Sequence, residues 1–184
     1  MKQVEGDWGQ GPRLELIAGV NWLIEKGKAE KGRIVLMGAS YGGYLSLLLA
    51  GRHPEYFQAC IDLFGISNLL TYIESVVPHW KPVMKKMVGD PEKDREKLIE
   101  DSPITYLDRM RGPLLVIQGA NDPRVVKAES DQLVASLRKR NVDVEYMVLK
   151  DEGHGFSKKE NEIRVYQSVL QFLGRISRSS VKMN

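Results

Sequence analysis

The chain has 184 residues, 42% apolar and 28% charged, with a formal net charge of +3. That is the length of one domain with an ordinary globular composition. The slight charge, with no Lys/Arg block interleaved with aromatics, argues against nucleic acid, and the longest apolar run is far too short to span a membrane.

Residues 1–13 are polar apart from Val4 and Trp8 and read as a poorly structured lead-in without a secretory leader, so a reducing, cytoplasmic setting is expected. Apolar groups at Leu16/Ile17, Val20 and Leu23/Ile24 predict a helix over 14–26, closed by Gly27. The run Ile34, Val35, Leu36, Met37 then reads as a buried strand. It turns through Gly38-Ala39-Ser40-Tyr41-Gly42 into a helix over 42–52 that is apolar nearly all round and ends at Pro54. A serine on so sharp a turn needs small neighbours, and Gly38 and Gly42 are expected to remove the collisions. A second strand is predicted over 59–64. It contains Cys60, the single cysteine, which reads as a buried structural thiol.

From Gly65 the pattern loosens into a helical, lid-like insertion over 66–101. It includes helices over 67–75 (Ser67 as cap), 83–88 and 93–100, and His79-Trp80 reads as a surface histidine beside a packing tryptophan. The third strand, 114–118, leads to Gly119-Ala120-Asn121-Asp122-Pro123-Arg124, and a helix follows over 127–139. The fourth, 142–149, ends in Asp151-Glu152-Gly153-His154-Gly155-Phe156. A last helix over 159–176 carries Ile163, Tyr166, Val169, Leu170 and Leu173 on one face, and 177–184 reads as a frayed tail. Strands alternating with helices predict an α/β fold with a parallel sheet covered on both sides.

Ser40, Asp122 and His154 each follow the end of a predicted parallel strand, and in an open parallel sheet those ends lie along one edge. Serine needs a base to take its proton, histidine has the basicity to do so, and an acid would hold the imidazole in the correct tautomer. The Tyr41 amide, at the start of the helix, is a candidate oxyanion donor. Asp62 and Asp151 are rival carboxylates, with Asp151 more suited to bracing its loop. His53 and His79 do not follow strands. No His/Cys/Asp/Glu set has metal-ligand spacing, and neither metal nor cofactor is expected.

The motifs 38–44 (GASYGGY), 119–125 (GANDPRV) and 151–156 (DEGHGF), with Ser102-Pro103-Ile104 and Glu160-Asn161, make the chain resemble the catalytic domain of the prolyl oligopeptidase family. The likeness runs from about Trp8 to Leu173. It implies an α/β-hydrolase fold with Ser40 as nucleophile, Asp122 and His154 as its partners, and the Tyr41 amide as one oxyanion donor. It also implies short peptides, acyl-peptides or esters as substrates. Members usually carry a β-propeller ahead of this domain and further strands before the helix near Leu14, with a second oxyanion donor on an early loop. That loop is not expected among these residues.

The expectation is therefore a truncated α/β-hydrolase fold of about four parallel strands. Its nucleophile strand, Ile34 to Met37, would form an unpaired edge apolar on both faces, buried by a homodimer or higher homo-oligomer. Three functional readings follow. They are a peptidase or acyl-peptidase working through an acyl-enzyme on Ser40, a carboxylesterase on short acyl esters, and a weakly active remnant that assembles with another chain.

Overall fold

The computed structural model describes residues 5–181; the lead-in at 1–4 and the tail at 182–184 lie outside the described residues. Four parallel strands, β1 (Ile34–Ala39), β2 (Phe57–Leu63), β3 (Leu114–Gly119) and β4 (Val144–Leu149), form one sheet in the order β1-β2-β3-β4. Each strand lies beside its predecessor, so right-handed crossovers put the connecting helices on one face. The helices are α1 (Gln10–Glu25), α2 (Tyr41–Arg52), α3 (Leu69–Ser75), α4 (Lys81–Met87), α5 (Arg95–Glu100), α6 (Lys127–Lys139) and α7 (Lys159–Val181). Short 3₁₀ segments occupy Pro78–Trp80 and Pro103–Arg109.

Period-two alternation divides the sheet's side chains cleanly. Cys60, Leu114 and Val116 pack with Leu47 of α2 and Leu133, Val134 and Leu137 of α6. On the opposite face, Ala59, Ile61, Leu63, Leu115, Ile117 and Leu149 pack against Val165, Val169, Phe172 and Ile176 of α7. A third cluster joins Tyr44 and Leu48 of α2 to Ile66, Leu69, Tyr72, Ile73, Val76, Met84 and Leu98, so the insertion is a packed wall rather than a loose flap. The buried Glu129 of α6 pins it, accepting from the Ser67 and Asn68 amides at 3.0 and 2.9 Å.

Several local expectations change. Helix α1 begins at Gln10, because the Asp7 carboxylate accepts from the Gln10 and Gly11 amides at 2.9 and 3.0 Å; residues 10–13 are helix, not lead-in. Helix α7 continues to Val181, since nothing between Ser177 and Val181 breaks a helix; that stretch is not a frayed tail. The cap of α3 is Asn68, whose side chain accepts from the Leu70 amide at 3.0 Å, while Ser67 is engaged by Glu129.

Strand β1 is an outer edge of the sheet, as expected of the strand that leads to Ser40, and Met37 is 48% exposed on the α7 face. On α7, Arg175 turns toward β4, pairing with Asp143 and Glu145. Ile163, Tyr166 and Leu170, elsewhere on the helix surface, are exposed. Helix α1 leaves Leu14, Leu16, Trp22 and Leu23 exposed. Its buried side chain is Arg13, which donates to His53 Nε2 across 2.7 Å.

Burial, and then the Arg13 charge, hold His53 below its ordinary histidine pKa. The unfolded chain therefore binds a proton at His53 that the folded chain does not, and stability falls as pH drops below about 6.5. Urea midpoints at pH 7.5 and pH 5.5 check this: His53→Gln should reduce the acid-side loss, and an unchanged loss would contradict the assignment.

Candidate active site

The centre of the site is the turn between β1 and α2. Ser40 has φ 56° and ψ −120°, a left-handed backbone that a non-glycine residue adopts only where its surroundings enforce it. A Cβ on Gly38 would come within 2.1 Å of the Gly42 carbonyl oxygen, so only glycine fits there. At Gly42 a Cβ would meet nothing within 4 Å, contrary to expectation. The second tight position is Gly43, where a Cβ would lie 2.4 Å from Asp62 Oδ1 and 2.8 Å from the Gly65 Cα. The Ser40 amide donates to the Leu63 carbonyl at 2.9 Å, which ties the turn to the end of β2.

Asp122 stands just beyond β3, buried. Its Oδ1 accepts from the Arg124 and Val125 amides at 2.8 and 3.0 Å. Its Oδ2 lies 2.7 Å from His154 Nδ1. Burial pushes this carboxyl up, but the bonds from His154, Val125 and Arg124 outweigh it and hold it below the usual carboxylate range. His154, in the loop after β4, places Nε2 2.8 Å from Ser40 Oγ. The three residues therefore form a continuous hydrogen-bonded chain drawn from the ends of β1, β3 and β4.

The rival carboxylates are placed elsewhere. Asp62 is fully buried, with Oδ1 accepting from the Gly65 amide at 3.0 Å and Oδ2 unpartnered, and burial pushes its pKa up to about 7. Asp151 accepts from Lys158 Nζ and, at 3.0 Å, from Asn161 Nδ2, so it braces its loop. Sequence reasoning passed over Glu152. Its carboxylate accepts from the Ser157 amide and hydroxyl, the Lys158 amide and Asn161 Nδ2 at 2.7–2.9 Å, which holds its pKa down to about 2. Those bonds clip the His154 loop to the start of α7. The available signal was an acid five residues ahead of a serine that lies just before a helix.

Tyr41 is the first residue of α2, so its amide is one of the helix N–H groups without an intrahelical partner, at the positive end of the dipole. Its ring is fixed by a 2.8 Å bond from the hydroxyl to the Trp8 carbonyl and by stacking on Tyr44; burial raises the hydroxyl's pKa to about 12. His53 is occupied by Arg13, away from Ser40. His79 lines a cavity of about 200 Å³ with Val76, Val77, Trp80, Pro123 and Arg124, next to the Asp122 turn. Cys60 is fully buried and its thiol is pushed well up by burial, as a structural residue should be. Among the described residues no group of three or more His, Cys, Asp or Glu could hold a metal, and no helix is long and apolar enough to cross a membrane. The arrangement can deliver a serine oxygen to an electrophilic carbon, take its proton on an imidazole and stabilise the resulting cation.

Comparison with known proteins gives the chain's family. The model of the prolyl oligopeptidase family matches residues 1–180. The chain is 38% identical to the dipeptidyl peptidase family member 6 of Caenorhabditis elegans over 91% of its own length and 24% of that protein's. It is 41% identical to dipeptidyl aminopeptidase BIII of Pseudoxanthomonas mexicana over 85% of its length and 23% of the relative's. It thus spans about a quarter of the curated relatives it matches. Among solved structures, the puromycin-hydrolyzing peptidase of Mycobacterium tuberculosis superposes with a TM-score of 0.85 at 27% identity, covering 94% of this chain and 27% of that one.

Glu152→Ala should leave the sheet folded and lower turnover at Ser40 about tenfold or more, by releasing the loop that carries His154. Steady-state assay beside circular dichroism checks it. Undiminished turnover would show that the loop holds its shape without Glu152.

Proposed function

The chain belongs to the prolyl oligopeptidase family, and from that premise we propose that it is a serine hydrolase cleaving short peptide, acyl-peptide or ester bonds through an acyl-enzyme on Ser40. The observation that carries this reading is the unbroken chain Ser40 Oγ, His154 Nε2, His154 Nδ1, Asp122 Oδ2.

In this mechanism Ser40 Oγ attacks the acyl carbon as its proton passes to His154 Nε2. Asp122, ionised and bonded to Nδ1, holds the tautomer and stabilises the imidazolium. The developing oxyanion meets the Tyr41 amide. His154 returns the proton to the leaving amine or alcohol, then activates the water that releases the acid. The cavity bounded by Val76, Val77, Trp80 and Pro123, with the Arg124 side chain among its walls, suits an apolar substrate group ahead of the scissile bond. The names of the relatives, a dipeptidyl peptidase and a dipeptidyl aminopeptidase, point to peptide substrates.

Activated esters carry better leaving groups than anilides, so the 184-residue polypeptide is expected to turn them over faster, as a carboxylesterase would. The assay is p-nitrophenyl acetate or butyrate beside an aminoacyl-anilide. Turnover should vanish in Ser40→Ala and His154→Ala and largely survive in Asp151→Ala. Turnover that persists in Ser40→Ala would refute the assignment.

The exposed face around β1 favours a second reading, in which the chain works only when assembled. Met37 on the edge strand β1, with Ile163, Tyr166 and Leu170 exposed on α7, leaves apolar surface of a kind that a stable monomer tends to cover. Self-association through β1 into a homodimer or higher homo-oligomer, or pairing with another polypeptide there, would bury it. Sedimentation velocity at micromolar concentration should reveal species larger than a monomer, with Met37→Lys shifting them toward monomer. A single monomeric boundary would rule out self-association.

A further inference from the structure

Phe64, at the end of β2, combines two features that seldom occur together. It is a bulky residue with φ 45°, in the left-handed region, and it is buried. Glycine would satisfy that backbone without strain, so the side chain is the part that needs a reason. Its ring centroid lies 4.8 Å from that of His154, with the planes at 58°, and 5.5 Å from that of Phe156. The same turn holds the nucleophile, since the Leu63 carbonyl accepts from the Ser40 amide at 2.9 Å. It is anchored on both sides. The Phe64 amide donates to the Ile117 carbonyl at 2.8 Å, and Asp62 Oδ1 accepts from the Gly65 amide. Gly65 is seated directly against Gly43 at the start of α2, where a Cβ would come within 2.7 Å of the Gly43 carbonyl carbon.

We propose that Phe64 is a positioning residue for His154, its ring holding the imidazole in the one orientation that reaches Asp122 and Ser40 together. The two bonds of His154 leave its ring free to tilt about the Nδ1–Nε2 direction, and a ring packed against it removes that freedom. The Phe64 ring also covers part of the imidazole, whose side chain is only 13% exposed, and keeps water from competing for either nitrogen. One turn, 62–65, thus sets the nucleophile through its backbone and the base through its side chain. The proposal rests on the hydrolase reading of the site.

The test uses Phe64→Gly, which deletes the ring and relaxes the backbone, Phe64→Leu, which keeps apolar bulk, and Phe64→Tyr, which restores an aromatic ring. Ester turnover should show kcat lowered about tenfold to a hundredfold in the Gly and Leu variants, KM within about twofold, and recovery in Tyr. A second readout needs no turnover: the far-downfield proton resonance of His154 Nδ1–H bonded to Asp122. It should be present in the unsubstituted chain and in Phe64→Tyr, and broadened or lost in Phe64→Leu and Phe64→Gly. If the unsubstituted chain hydrolyses nothing, the hydrolase reading fails, and the resonance alone decides the positioning role. Unchanged kcat with an unchanged resonance in Phe64→Leu overturns the proposal. A raised KM at constant kcat also overturns it, because Phe64 would then line the substrate path.

Discussion

The site depends on one constraint, the left-handed backbone of Ser40. A non-glycine residue there is strained by roughly 1–3 kcal/mol, and it persists only where neighbouring structure leaves no alternative. Here the neighbours are backbone. Gly38 lets the chain fold back to within contact of the Gly42 carbonyl, and Gly43 lets α2 start directly against Gly65 and Asp62. The amide of Ser40 is then held by Leu63, and its hydroxyl is delivered at the end of the sheet where β3 and β4 also end. Parallel register does the rest. Gly38 pairs with Asp62, Asp62 with Val116 and Gly119 with Leu149, so the turns that follow these strands lie side by side.

How much of this was legible in the sequence follows from the same physics. The turns carrying Ser40, Asp122 and His154 each pair an apolar strand run with a polar residue bounded by glycine or proline, and that pattern survives without coordinates. The parallel order followed from helices interposed between strands. Phe64 could not be found this way, because an aromatic at a strand end reads as core, and residue type does not announce a positive φ. Glu152 was hidden between Asp151 and His154, its partners Ser157 and Asn161 belonging to a helix not yet placed. The assignment of Gly42 instead of Gly43 to the tight position had a similar cause. The motif names the spacing, but the collision comes from β2 and its turn, which are distant in sequence.

The exposed surfaces belong to the same picture. The apolar period of α1 predicts a helix but leaves open whether that face is covered, since burial needs a partner that a periodicity cannot supply. Helix α7 shows both outcomes on one cylinder: Val165, Val169 and Phe172 are covered by the sheet, while Ile163, Tyr166 and Leu170 are exposed. The strand that leads into the Ser40 turn is thus the least covered strand of the sheet. Whatever pairs with β1 would stiffen the base of the Ser40 turn and link assembly to chemistry.

The central claim is that Ser40, activated through His154, is a nucleophile in the folded chain. Fluorophosphonate labelling followed by intact-mass and peptide mapping tests it most directly. The account predicts a single adduct on Ser40 in the native chain, absent after denaturation and in His154→Ala. A folded chain that takes up no label on Ser40, or labels equally well without His154, would contradict it.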